Sequence, residues 1–307
     1  MDVGTFSLGE GSTPLVRAQR ATARLGRDVF LKCEGVNPTG SFKDRGMVRA
    51  VAGAFADGAR AVCCASTGNT AASAAAYAAR AGLGAIVLTP AGAAATAKRA
   101  QARACGARVV EIRGSFDDAL RLARELGQQD GYVLVNSLNP LRIEGQKTVV
   151  TELLDELQSA PQVIALPYGG GGNVSAVAAA VTDAGVEARI VVGQAAERTT
   201  TWASAIRIGE PAHRANVEAL VAAGHVEVVT LSEDDLRRAW ERLGREEGVF
   251  CEPASAAGLA ALELCSPGTG DVVCIVTGHG LKDAGTVPED SDDAVEPTLD
   301  AVLEAVG

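Results

Sequence analysis

The chain has 307 residues, 47% of them hydrophobic, and a formal net charge of −10, with 28 basic against 38 acidic side chains. That length suits one large or two medium domains, and two are expected. An acidic balance with no run of lysine or arginine excludes a nucleic-acid groove or an anionic membrane surface, both of which need clustered cations, so the expected partner is a small molecule.

The first informative segment is Asn37-Pro38-Thr39-Gly40-Ser41-Phe42-Lys43-Asp44-Arg45-Gly46. Turn residues place Lys43 tightly, and a lysine amine meets a carbonyl cofactor only if the chain holds it close and reactive. With only five lysines in the chain, Lys43 is the candidate for that bond. A strand is predicted over 61–65. The turn Ser66-Thr67-Gly68-Asn69-Thr70 then opens an alanine-rich helix over 70–81 and offers hydroxyls and amides to a carboxylate or other anion; an ordinary helix N-cap is the alternative. Strands follow over 85–89 and 108–112, and Ser115 with Asp118 forms a capping box before a helix over 120–126. A strand over 132–136 runs into Asn136-Ser137-Leu138-Asn139-Pro140-Leu141-Arg142, whose amide, hydroxyl and guanidinium groups suit a substrate phosphate; a polar turn with a solvated arginine is the alternative.

The strand over 163–167 leads to Gly169-Gly170-Gly171-Gly172-Asn173 and a helix over 174–184. Four side-chain-free amides at a helix N-terminus make a phosphate cradle, since a plain turn needs fewer glycines and each costs backbone entropy. Neither a Walker loop nor a dinucleotide fingerprint fits: Gly40 is followed by Ser41, and Val174 stands where a third glycine would be required. Further on come a strand over 189–193, a helix over 233–247 opened by Ser232, and a strand over 272–277. There Thr277-Gly278-His279-Gly280 sets Thr277 at the strand end, against a ring nitrogen or simply as a cap. An acidic stretch, Pro288 to Pro297, precedes a last helix over 299–306. Short Val/Ile runs alternating with helical stretches predict α/β layers on largely parallel sheets, where ligands gather beyond the carboxyl ends of strands.

No apolar stretch approaches the roughly 20 residues that span a bilayer, and the acidic opening Met1-Asp2-Val3-Gly4 lacks a basic leader, so a cytoplasmic location is expected. The cysteines (Cys33, Cys63, Cys64, Cys105, Cys251, Cys265, Cys274) have no paired spacing and are expected to be reduced. His213, His225 and His279 are too scattered to suggest a metal site.

Taken in order, these motifs resemble those of threonine synthase, a fold type II pyridoxal-phosphate enzyme of the tryptophan-synthase beta type. The resemblance runs from Gly9-Glu10-Gly11-Ser12-Thr13-Pro14-Leu15 through the lysine and glycine segments, Val135 to Lys147 and Ala205 to Gly209, to Glu252-Pro253-Ala254-Ser255-Ala256 and Thr277 to Asp283. It implies two α/β/α domains, 1–38 plus 145–307 and a smaller 39–144, with pyridoxal 5'-phosphate in the cleft between them, and commonly a homodimer. It further implies that Lys43 links to the cofactor aldehyde and shuttles protons, and that Asn69 bonds the phenolate oxygen. Gly169, Gly170, Gly171, Gly172 and Asn173 would hold the cofactor phosphate and Thr277 would meet the pyridine nitrogen. Ser66, Thr67 and Thr70 would bind the substrate carboxylate, and Asn136, Ser137 and Arg142 the phosphate of O-phosphohomoserine. The implied reaction is loss of that phosphate from the γ carbon and addition of water at the β carbon, giving threonine; a serine/threonine dehydratase or a specialised relative is the alternative. Three departures bear on substrate choice: Gly170 and His279 stand where asparagine is usual, and the segment before Ala205 is short.

Overall fold

The structure is a computed structural model that describes residues 3–92, 97–265, 268, 270–287 and 294–306. Met1 and Asp2 of the acidic opening, and 288–293 of the acidic stretch, lie outside the described residues.

Two sheets organise the chain. The larger is built from β1 (Leu15–Arg17), β2 (Val29–Cys33), β7 (Val163–Pro167), β8 (Arg189–Ala195), β9 (Val226–Leu231) and β10 (Val272–Val276). Its order is β1-β2-β10-β7-β8-β9, all parallel except the β1–β2 edge pair. The smaller comprises β3 (Ala61–Ala65), β4 (Gly84–Pro90), β5 (Arg108–Ile112) and β6 (Tyr132–Leu134), fully parallel in the order β5-β4-β3-β6. The predicted α/β class therefore holds. Strands over 61–65, 108–112 and 163–167 match residue for residue, whereas the sixth strand stops at Leu134 rather than Asn136.

The central strands are apolar on both faces because both faces are covered. Val163 and Ala165 join one core with the helix Ala257–Leu264, while Ile164 and Leu166 join another with the helices Thr148–Leu157 and Gly172–Asp183. That two-residue alternation, apolar on either side, is how a parallel strand buried between helix layers reads. The predicted capping box of Ser115 with Asp118 forms, and Ser232, expected to open its helix, does so and makes a second box with Asp235. Among the described residues no helix is long and apolar enough to cross a membrane.

The helix Lys43–Ala56 is tied to the large sheet by charge. Arg45 forks onto Glu34 (2.6 and 2.7 Å) and Glu152 (2.6 and 2.7 Å), and the helix Thr148–Leu157 that carries Glu152 is itself held to β2 by Lys32 and Glu156 at 2.7 Å. Fork geometry fixes direction as well as distance, so the first turn of this helix has little freedom to rotate. The same helix packs closely on the helix Pro140–Gln146. A Cβ on Gly46 would stand 2.4 Å from the Arg142 carbonyl, and one on Gly145 only 2.1 Å from that of Arg45.

Candidate active site

The turn that carries Lys43 is fastened to the end of β10. The Phe42 amide donates to the Thr277 carbonyl (3.0 Å), the His279 amide to the Gly40 carbonyl (3.0 Å), and Ser41 bridges Gly278. Gly40 makes the turn with φ +88°. Lys43 and Thr277, far apart in sequence, are thereby held on one strand end. The residue keeps some solvent exposure, but protein surrounds the amine, which lies 3.7 Å from the Phe42 ring centroid and has no side-chain hydrogen-bond partner among the described residues. Burial, reinforced by the nearby Arg142 and Lys98 cations and opposed by Glu252, lowers its pKa to about 7. Near neutrality a large fraction of this lysine is therefore the uncharged nucleophile.

Opposite stands the turn that opens the helix Asn69–Arg80. The Ser66 hydroxyl accepts from the amides of Gly68 (3.0 Å) and Ala71 (3.2 Å), which shapes the turn, while Thr67 and Thr70 remain partly exposed. Asn69 donates one amide hydrogen to Glu252 at 2.7 Å. Its second N–H remains for a ligand oxygen, and its own Oδ1 is buried without a partner.

The glycine run forms the third wall. Gly171, at φ +84°, caps the helix Gly172–Asp183, and the amides of Gly170 to Asn173 have no protein acceptor among the described residues. A Cβ on Gly170 would meet only Ile208 at 3.6 Å, so this rim is open, and the buried Asn173 Nδ2 also lacks a partner. Unpaired amides, a helix N-terminus and a spare side-chain donor fit a phosphate. The Thr277 hydroxyl, 3.0 Å from that of Ser255, can exchange protons or lone pairs with a ring nitrogen but cannot carry charge. Buried unpartnered atoms of Ser41, Asn69, Arg142 and Asn173 all belong to the segments forming these walls. The residues present thus fit pyridoxal phosphate: an amine for the aldehyde, a donor for the phenolate and a cradle for the phosphate.

Of the proposed substrate-phosphate residues, Arg142 is the most telling. It is wholly buried and bonded to the carbonyls of Val135 (3.0 Å) and Lys43 (3.4 Å), with Nε unpartnered and no carboxylate against it. Burial pulls its pKa down to about 10. Asn136 is used differently: its side chain exchanges two hydrogen bonds with the Ala65 backbone (3.0 and 2.9 Å), continuing the β3–β6 pairing past Leu134. The Ser137 carbonyl lies 3.0 Å from Nε2 of His213.

Sequence reasoning passed over four contributors. Lys98 binds both Glu252 (2.7 Å) and Asp283 (2.8 Å); burial penalises its ammonium, but the two carboxylates outweigh that and hold its pKa above the usual lysine range. Glu252, 1% exposed, thus orients Asn69 while itself held by Lys98. Ser255 positions Thr277 and accepts the Gly278 amide at 2.9 Å. His213 leans on the cradle, its Cβ 3.0 Å from where a Gly171 side chain would begin. Glu252 and Ser255 do lie in the Glu-Pro-Ala-Ser-Ala segment noted above; nothing local marks Lys98 or His213.

The profile of the pyridoxal-phosphate dependent enzymes matches residues 6–278. The chain belongs to that family. Within it, the chain is similar to the threonine synthase of Mycobacterium leprae, with 44% identity over 96% of this chain and 89% of that protein. It is equally similar to the threonine synthase of Halalkalibacterium halodurans, 44% over 92% and 85%. Among solved structures, maize serine racemase superposes with a TM-score of 0.77 at 26% identity, covering 89% of each chain. This pyridoxal-phosphate enzyme is accordingly a fold type II lyase of the threonine synthase type.

Two expected results follow from this geometry. Uptake of pyridoxal phosphate by the apo-protein, timed by its visible band, should rise with pH and level off above about pH 7 to 8, because only the neutral Lys43 amine attacks the aldehyde. In Arg142→Gln, which removes a neighbouring cation, the same profile should move to higher pH. Glu252→Gln breaks a buried charge pair and should lower stability to denaturant by about 3 kcal/mol, with weaker cofactor retention; unchanged retention on dialysis would show that Asn69 needs no such support.

Proposed function

We propose that this chain converts O-phospho-L-homoserine and water to L-threonine and phosphate. The observation that carries the reading is Arg142, a fully buried cation beside Lys43 that has no carboxylate in ion-pair contact among the described residues and feels only the more distant Asp44. A substrate bearing its own phosphate supplies the missing negative charge, and one with a plain hydroxyl does not. The 44% identity to threonine synthases over most of the chain supports it as well.

In the reaction the phosphate–γ-carbon bond breaks, a hydroxyl from water joins the β carbon, and the γ carbon gains a proton. Pyridoxal phosphate, when bound, supplies the electron sink for negative charge developing on the substrate. Lys43 moves protons at the substrate's α and β carbons, which its near-neutral pKa allows in both directions. Ser66, Thr67 and Thr70 hold the carboxylate at the helix N-terminus, and Arg142 with Ser137 holds the departing phosphate, while Asn136 braces that turn through the Ala65 backbone. The neutral Thr277 leaves the ring nitrogen without a full proton, which suits elimination and replacement at the β and γ carbons.

The same reading places the two sheets in two domains, 1–38 plus 145–307 and 39–144, meeting at the site. It also describes a cytoplasmic homodimer. All seven cysteines are free, as a reducing compartment allows, and the C-terminal helix leaves Leu299 and Leu303 exposed to a second copy. Light scattering on the purified protein checks the dimer.

The deciding experiment incubates the holoenzyme with O-phosphohomoserine and assays phosphate and threonine together. Equimolar products are expected. Gly170 opens a second outcome in the same class, elimination without hydration, because it removes a side chain from the cradle's substrate end; phosphate with 2-oxobutyrate in place of threonine would establish it.

A further inference from the structure

A cavity of about 410 Å³ lies between β8, β9 and the helix Arg214–Ala222, separate from the Lys43 turn, and it borders the residue that precedes the glycine run. That volume is within the roughly 300–1,000 Å³ of small-molecule sites. Its walls divide by chemistry. Val217 and Val228 form an aliphatic side, and Tyr168 closes one end beneath the Arg198 guanidinium, 4.7 Å from the ring centroid.

Arg198 is half-buried and engages only neutral acceptors: Ile208 O (3.0 Å), Gln194 Oε1 (2.9 Å) and Gly169 O (2.7 Å). Three of its five N–H groups are thus used, two remain, and no carboxylate pairs with it among the described residues. Such a fork is built to take a carboxylate in two parallel bonds. Glu218 lines the same cavity, and its carboxylate is felt at the Tyr168 hydroxyl together with Arg198 and Arg214. A guanidinium with spare donors, a carboxylate and an aliphatic wall around one small cavity match the three parts of a zwitterion with a short hydrocarbon side chain.

We propose that this cavity binds a free aliphatic α-amino acid, with its carboxylate on Arg198, its ammonium toward Glu218 and its side chain against Val217 and Val228. The site regulates the cofactor loop, because the Arg198 side chain that takes the ligand also holds the Gly169 carbonyl. Val217 adds a second link, lying 3.1 Å from where a Gly171 side chain would begin. An occupant that draws on Arg198 shifts the amides that cradle the cofactor phosphate.

The test uses holoenzyme whose cofactor has been fixed to Lys43 by borohydride reduction, so that an added amino acid cannot react at the active site. L-Valine is titrated by calorimetry, and cofactor fluorescence is followed in parallel. One site per chain is expected, with a fluorescence change that tracks occupancy. Val228→Phe fills the cavity and Glu218→Lys reverses the charge facing the ammonium. Each should weaken valine binding at least about tenfold while the cofactor band, read before reduction, stays intact. No binding to the reduced wild-type enzyme, or unchanged affinity in either cofactor-loaded variant, overturns the proposal. Failure of the pyridoxal-phosphate reading itself would appear earlier, as absence of the cofactor band before any valine is added.

Discussion

Lys43→Ala is expected to lower turnover by about 10⁴-fold or more while leaving the fold as stable as before. The two halves of that expectation have separate causes. Activity falls because the amine is both the covalent partner of the cofactor aldehyde and the proton carrier, and no other lysine takes its place: Lys98 is held by Glu252 and Asp283, and Lys282 by Thr39 and Gln101. Stability holds because the Lys43 amine has no hydrogen-bond partner among the described residues, so its removal strands no donor or acceptor and forfeits only the Phe42 ring contact, and alanine suits the helix Lys43–Ala56 by its high helix propensity. Burial already disfavours the charged amine, as its pKa near 7 shows, so truncation relieves a cost. Cofactor should still bind through the glycine amides and Asn173 but wash out on dialysis. Thermal unfolding, the visible band before and after dialysis, and product assays check the three parts. A large drop in unfolding temperature would mean that Lys43 supports structure instead.

The sequence made one part of this site readable and hid the other, and contact distance separates them. Lys43, the Ser66–Thr70 turn, the glycine run and Thr277 each carry their chemistry within a few residues of a strand end or helix start, where turn formers and capping groups are visible locally. Glu252, Lys98 and Asp283 are ordinary charges in sequence. They matter because folding places Lys98 2.7 Å from a residue 154 positions away, and no period or spacing encodes that. Asn136 shows the complementary error of reading a polar residue by its type. It was expected to face a ligand, yet its amide completes the sheet at Ala65. The strands divide in the same way. Runs such as Val163 to Leu166 are apolar throughout and stand out. β2 contains Lys32, buried only because Glu152 and Glu156 meet its ammonium, and β9 alternates Val with Glu and Thr at a sheet edge. The helix Lys43–Ala56 escapes notice because Gly46 and Gly53 blur its pattern; both are needed for close approach, to Arg142 and Leu141.

Arg142→Ala should cut kcat/KM for O-phosphohomoserine by about 10²- to 10³-fold, the cost of leaving a bound phosphate without its buried cationic partner. Cofactor affinity should change only a few-fold, since the glycine cradle and Asn69 do not touch this side chain. The stability effect is a balance of opposed terms. Truncation leaves the Val135 carbonyl without its 3.0 Å donor and opens space beside Met47, but it also removes a buried charge that no carboxylate contacts among the described residues. Hydrogen bonds from charged groups contribute about 1.5–3 kcal/mol each and the relief of desolvation acts against them, so a net loss of about 1–2 kcal/mol is expected. Arg142→Lys keeps the charge but not the fork, and should recover only part of the lost activity. The contrast with an unphosphorylated amino acid decides the role. If slow elimination from L-serine or L-threonine can be detected, Arg142→Ala should leave its plateau rate nearly unchanged, read above the higher pH to which loss of this cation moves the Lys43 profile. An equal fall for phosphorylated and plain substrates would make Arg142 a support for the Lys43 helix, through its bond to the Lys43 carbonyl, and would remove the observation on which the substrate assignment stands.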